Sequence, residues 1–282
     1  MALFVARTAS SQNDGQEAFR LQAGPADQSA AHFGGAQQFG GVAGIDAAAV
    51  QDGDTRMVRC GRLELGAQHG QLMPYTLKTL PRSTCGVYRA TVMLPGSKSL
   101  TNRELLLSAI AASPTKLIAP LVSRDSKLMI QALEQLGTRF EWQGTDLLVY
   151  PGELHGGAKI DCGLAGTVMR FVPPLSLLAN GKTEFDGDEG ARRRPMHTTI
   201  ESLKALGAQV ESKDMALPFT VNSSGKVSGG ELVIDASASS QFVSGLLLVA
   251  ARFENGITLV HSGEELPSLP HIEMTLETLR QR

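Results

Sequence analysis

The chain has 282 residues, 42% hydrophobic and 19% charged, with a formal net charge of −2. That length holds one or two globular domains, and the near-neutral balance supplies no bulk electrostatic reason to bind nucleic acid. The three cysteines (Cys60, Cys85, Cys162) have neither zinc-ligand spacing nor a disulfide framework, which points to the cytoplasm, and no apolar run approaches the roughly 20 residues of a membrane span.

The first 81 residues carry little information. Met1–Arg7 is too short for a secretory core, and Asp14, Glu17 and Asp27 are unlike an acidic-poor transit peptide. From Ser10 to about Asp54 the chain is rich in Gln, Gly and Ala without periodicity. Residues 1–81 are therefore expected to be a disordered or poorly packed extension, with short strands possible within Met57–Leu80.

Residues 82–282 are regular and read as an α/β domain built from a repeat, with units at about 87–152, 153–225 and 226–282. Each unit opens with a strand: Ala90–Leu94, Ala158–Cys162 and Glu231–Asp235. A small, polar turn leads each strand into an apolar helix: Leu100–Ala112, Val168–Ala179 and Phe242–Phe253. A second strand follows (Lys116–Leu121, Lys182–Asp186, Ile257–His261), then a second helix. In that helix the similarity is literal. Ala132–Gly137 matches Ser202–Gly207, and Thr275–Leu279 begins the pattern again. Leu133, Leu203 and Leu276 recur about 70 residues apart, and their partners at i+3 define one buried face. Units one and two continue into paired strands, Arg139–Trp142 with Leu147–Tyr150 and Gln209–Ser212 with Phe219–Val221. The expected order is strand–helix–strand–helix–strand–strand, three βαβαββ units with the third incomplete. A repeat broken off there suggests a truncated chain whose third sheet is left partly unpaired.

The candidate chemistry sits at the helix starts. In Leu94–Arg103 a Pro-Gly turn is followed by Ser97, Lys98, Ser99 and Arg103. Helix amides, hydroxyls and two cations suit a phosphate or carboxylate, although the same residues also suit an ordinary N-cap with solvated basic side chains. The second and third first-helix starts, Leu164–Thr167 and Ser237–Gln241, are similarly small and polar, so repeat symmetry could gather three positive helix ends on one face. Arg170 lies close to one of them. The run Arg192–Arg194 reads by itself as a solvated patch, but Arg194 precedes Pro195 at another expected helix start, and Ser268 marks the comparable place in unit three. Other motifs fall away. Gly96–Ser99 lacks the Gly-Lys pair of a phosphate loop, no Gly-x-Gly-x-x-Gly opens a helix, and the six histidines have no metal-ligand spacing. Asp125 reads as a cap or ion-pair partner, and Cys162 as a small buried residue.

Leu94–Arg103, Cys162–Arg170, Arg194-Pro195 and Ser239–Phe242 together resemble the 5-enolpyruvylshikimate-3-phosphate synthase family, with the Asp161–Thr167 variant similar to actinobacterial members. The resemblance runs from about Val87 to the end of the chain. It implies two similar domains of three βαβαββ units, this chain being the N-terminal one. It also implies transfer of the enolpyruvyl group of phosphoenolpyruvate to the 5-hydroxyl of shikimate 3-phosphate, without metal or organic cofactor. Lys98 would contact both substrates as the catalytic residue. Shikimate 3-phosphate would be held by Lys98, Ser99, Arg103, Ser239, Ser240, Gln241 and Ser268, and phosphoenolpyruvate by Lys98, Gly166, Arg194 and Gln241. Thr167 and Arg170 would support the same loop. The acidic groups for proton transfer belong to a complementary C-terminal domain, so the alternative is an inactive fragment or shikimate-3-phosphate-binding module. The sister family acting on UDP-N-acetylglucosamine is disfavoured by Ser99 and Arg103 in the Lys-Ser-x-x-Asn-Arg pattern. Three departures stand out: Leu164 where Asn is frequent, Phe171 where Pro is common, and His271 where Tyr is common.

Overall fold

A computed structural model describes residues 95–282 in full, preceded by the backbone of short strands at residues 5–9, 18–23, 37–38, 42–43 and 92–93. The extension expected over residues 1–81 lies mostly outside the described residues, and the strands expected within 57–80 lie wholly outside them.

Five strands come first: β1 (Val5–Ala9), β2 (Ala18–Ala23), β3 (Gln37–Gln38), β4 (Val42–Ala43) and β5 (Val92–Met93). Then follow α1 (Lys98–Ala109), β6 (Thr115–Ile118), α2 (Arg124–Gln135), β7 (Arg139–Gln143) and β8 (Asp146–Tyr150). The next stretch holds β9 (Lys159–Asp161), α3 (Gly166–Ser176), β10 (Asn180–Asp186), the short α4 (Glu189–Arg192), α5 (His197–Ala205), β11 (Gln209–Ser212) and β12 (Phe219–Ser224). The last has β13 (Gly230–Ile234), α6 (Gln241–Ala250), β14 (Ile257–His261) and α7 (Leu269–Arg280). Met1–Gly41 and Pro95–Arg282 form one compact unit. Val42–Leu94 form a second, in which β4 and β5 pair antiparallel.

Among the described residues the larger unit contains three four-stranded sheets on one plan. In the second sheet β10 pairs in parallel with β9 and antiparallel with β12, which pairs with β11. Phe185 of β10 stands opposite Phe219 of β12 with ring centroids 5.0 Å apart. In the first sheet β6 is the corresponding strand, parallel to β3 and antiparallel to β8, which pairs with β7. In the third, β14 is parallel to β13 and antiparallel to β2, which pairs with β1.

Two pairings differ from expectation. The parallel partner of β6 is Gln37–Gln38, whereas Val92–Met93, within the strand expected at Ala90–Leu94, pairs with β4. The hairpin positions of the third sheet, expected to be unpaired, are taken by β1 and β2. Alternation and propensity mark a segment as extended, but they do not select the edge it joins.

The core lies between the sheets and the helices. Every residue of α3 after Gly166 and every residue of α6 after Gln241 is buried. Gly245 permits the two helices to meet, because a Cβ there would stand 2.2 Å from the Arg170 carbonyl oxygen. That carbonyl has no amide partner four residues on, since position 174 is a proline. Helices α2, α5 and α7 bury one stripe each, including Leu133, Leu203 and Leu276. Each fully buried leucine contributes about 1.5–3 kcal/mol relative to exposure. α2 opens with a reciprocal cap in which the Ser123 and Ser126 side chains each accept the other's amide.

Candidate anion-binding site

The polar turns expected before the apolar helices form their first turns. α1 begins at Lys98, α3 at Gly166 and α6 at Gln241. The starts differ in how their amides are satisfied. Ser97 Oγ accepts the Leu100 amide at 3.3 Å and caps α1. Ala165, before α3, has no acceptor side chain. Ser240 makes no side-chain capping bond at α6, where the Gln241 amide is met by Ser239 Oγ at 3.2 Å and the Phe242 amide by the Ser239 carbonyl at 3.2 Å. Helix-end amides at α3 and α6 are available to an acceptor from outside, and the helix dipoles favour an anion there.

Arg170, Arg194 and Gln241 converge on Gly166. A Cβ at position 166 would lie 3.0 Å from Gln241 Oε1, 3.1 Å from Arg170 Nη1 and 3.6 Å from Arg194 Nη1. Arg170 is 7% exposed. Its Nη1 makes a long bond to the Gly166 carbonyl at 3.4 Å, its Nε is buried without a partner, and its guanidinium carbon lies 5.4 Å from the centre of the Phe242 ring. Burial, and then the charge of Arg194, lower its pKa from 12.5 to about 10. A bound anion relieves both effects at once. Arg194 reaches the same point from the segment before α5, with Nη1 donating to the Leu164 carbonyl at 2.9 Å. The triple-arginine run thus divides. Arg192 pairs with Asp186 and Arg193 with Glu189 on the surface, while Arg194 turns inward.

Arg103 is also buried, at 1% exposure, but the protein engages four of its five N–H groups. Nε donates to Thr275 Oγ1 at 2.7 Å, Nη1 to the Ser99 carbonyl at 2.8 Å, and Nη2 to the His271 carbonyl at 2.9 Å and Ser244 Oγ at 3.3 Å. The remaining N–H is on Nη1. The Phe171 ring lies 5.3 Å away, and burial lowers its pKa to about 10. Next to it, Asn102 Nδ2 donates to Thr167 Oγ1 at 2.6 Å and ties α1 to the start of α3.

Lys98 is exposed and pairs with Asp125 of α2 at 2.9 Å, the ion-pair role expected of that aspartate. Ser240 is buried, Ser99 and Ser239 are partly buried, and Ser268 is exposed. Ser268 precedes α7 in a left-handed conformation (φ 56°, ψ 49°), uncommon for a residue with a Cβ. Among the described residues no hydrogen bond or ion pair joins Lys98 or Ser268 to the Gly166–Arg170–Arg194–Gln241 group.

Residues 85–282 match the profile of the family described as EPSP synthase (3-phosphoshikimate 1-carboxyvinyltransferase). The chain belongs to this family. Two solved structures of EPSP synthase from Acinetobacter baumannii share the fold, each with a TM-score of 0.56 and 24% sequence identity over 64% of this chain. The chain covers 41% of each of those proteins.

The departures from the EPSP synthase pattern have distinct local outcomes. Leu164 supplies a backbone carbonyl to Arg194, so the contact there is made without a polar side chain. Phe171 is buried under Arg103. His271 contributes its carbonyl to Arg103. Sequence reasoning overlooked Ser244 and Thr275, both fully buried. A signal was present for each. Ser244 is the one hydroxyl inside the apolar run of α6, and Thr275 shares the core-facing stripe of α7 with Ile272, Leu276 and Leu279.

Among the described residues no helix is long and apolar enough to cross a membrane. Cys162, next to the second anion turn, is a buried thiol whose pKa burial pushes up to about 12.

Proposed function

We propose that this chain binds shikimate 3-phosphate and phosphoenolpyruvate and supplies the N-terminal half of an active site for enolpyruvyl transfer. The observation that carries the reading is the convergence of Arg170, Arg194 and Gln241 on Gly166, with the Arg170 Nε buried and unpartnered at an uncapped helix start. A buried cation without a counter-charge is costly, and phosphoenolpyruvate is an anion of matching charge. Gly166 leaves room for it to approach the helix amides. Gln241, also in the first turn of α6, stands between this pocket and the neighbouring Ser239 and Ser240 hydroxyls, which with Ser268 hold the phosphate of shikimate 3-phosphate. Ser99 and the remaining Arg103 N–H hold the same substrate from α1. Lys98 lies between the two ligands and is the catalytic residue, its ammonium fixed by Asp125.

In the reaction the 5-hydroxyl of shikimate 3-phosphate gives up its proton as its oxygen bonds to C2 of phosphoenolpyruvate, and the methylene carbon takes a proton to become a methyl group. The resulting tetrahedral intermediate then loses a methyl proton, re-forms the carbon–carbon double bond and expels phosphate. Negative charge is carried throughout, so preorganised cations stabilise substrates and intermediate alike. Proton transfer needs an acid and a base. In this reading they come from a complementary C-terminal domain, in keeping with the 41% of the solved proteins that the chain covers, and the reaction belongs to the cytoplasm.

Calorimetric titration of the purified chain with each ligand, beside an assay of phosphate release from both, tests the proposal. Shikimate 3-phosphate binds, and phosphoenolpyruvate binding falls at least tenfold in Arg194→Ala. Turnover by the chain alone establishes catalysis, and binding without turnover favours the binding-module reading. Absence of binding by both ligands overturns the site.

A further inference from the structure

Arg103 is held in a polar bracket within an otherwise apolar junction of α1, α6 and α7. Thr275 is its centre. Its Oγ1 accepts Arg103 Nε at 2.7 Å and lies 2.9 Å from both the His271 carbonyl and Ser244 Oγ. Its single proton serves one of those two, while its lone pairs face the guanidinium. Ser244 Oγ in turn lies 3.3 Å from Arg103 Nη2. Thr275 and Ser244 are both fully buried, so neither meets solvent. A hydroxyl in a core-facing slot is unfavourable unless paired. Here the pairing fixes the plane of the guanidinium and thereby the direction of the one N–H that remains free. The same bracket anchors α1 to the first turns of α7, three and seven residues beyond Ser268.

We propose that Thr275 is a positioning residue for shikimate 3-phosphate. It acts through Arg103, by fixing the guanidinium in the orientation that presents its free Nη1–H and holds the Ser99 carbonyl. The inference rests on the reading of the site given above. Valine at 275 keeps the shape and removes the acceptor. Arg103 Nε is then buried without a partner, and the guanidinium rotates to find another.

The test is calorimetric titration of the full chain with shikimate 3-phosphate. Thr275→Val weakens binding about tenfold, the loss expected of one hydrogen bond to a charged group, and Thr275→Ser restores it. On an Arg103→Lys background, which keeps the charge but has no Nε–H fork, Thr275→Val has no further effect. General loosening of the α6–α7 contact would weaken binding on both backgrounds, and that result overturns the proposal. So does unchanged affinity in Thr275→Val when Arg103→Lys has lost affinity. Failure of the unsubstituted chain to bind shikimate 3-phosphate overturns the reading of the site itself and this proposal with it.

Discussion

Arg103 and Arg170 occupy comparable places in α1 and α3. Both are buried, both have a pKa lowered to about 10, and both lie over a phenylalanine ring on a neighbouring helix, at 5.3 and 5.4 Å. They differ in their partners. Arg103 makes four hydrogen bonds within the fold, whereas Arg170 makes one long one and leaves Nε without a partner. A guanidinium with four of its five N–H groups bonded by the protein is part of the architecture. One left unsatisfied at an uncapped helix start is stabilised only when an anion arrives. The two guanidiniums are thus held on opposite principles, one braced by the protein and one left open to an anion.

The largest effect that could break this contrast is on stability. Arg103→Leu removes four hydrogen bonds that tie α1 to α6 and α7 at a buried junction and should destabilise the chain by about 3 kcal/mol, read from urea unfolding without ligand. Arg170→Leu removes an unpaired buried cation and should be neutral or stabilising. Inorganic phosphate sharpens the comparison. At a hundredfold excess over its Kd it should add about 2.7 kcal/mol to the parent chain and nothing to Arg170→Leu. Equal destabilisation by the two leucine variants would erase the distinction.

A smaller change tests the ligand-completed side alone. Gly166 is in the first turn of α3 at an ordinary helical φ, so alanine is accepted by the backbone. Its methyl group meets the flexible ends of Gln241 and Arg170, which move aside at little cost to the fold. Gly166→Ala should leave the unfolding free energy within about 1 kcal/mol of the parent. The same change should weaken phosphoenolpyruvate about tenfold in titrations. Unchanged affinity would mean that the ligand does not approach this helix start.

The same contrast explains what could be read from the sequence. The strands and second helices were legible because hydrophobic periodicity reports burial, and Gln209–Ser212 and Ile257–His261 fall within the residues expected. First-helix starts were placed one or two residues late, since Lys98, Gly166 and Gln241 are poor periodicity signals yet form the opening turns. Short motifs showed Arg194 and Gly166 as candidates. They could not show that Arg192 and Arg193 are spent on Asp186 and Glu189, because that depends on how α4 is folded back. Partners such as Thr275, 172 residues from Arg103, are set by tertiary packing, which no local pattern encodes.

The smallest effect is chemical and belongs to Arg170 alone. Burial, then Asp161 and Asp186, push the Cys162 thiol up from 9.0 to about 12, and Arg170 is the one nearby charge that opposes them. The folded state therefore keeps its proton where the unfolded chain has lost it. The stability this lends is complete below pH 9 and declines as pH rises from about 9 to about 12. Iodoacetamide at pH 8.5 should leave Cys162 unmodified in the native chain and alkylate it once urea unfolds the protein, read by peptide mass spectrometry. Between pH 9 and 10 the slow native labelling should fall further in Arg170→Leu, or with phosphate bound, because each removes the charge that favours thiolate. Arg103→Leu, assayed where it is folded, should leave that rate unchanged, since Arg103 is not among the charges acting on this thiol. An equal response to both substitutions would mean that the two guanidiniums share one electrostatic environment rather than two.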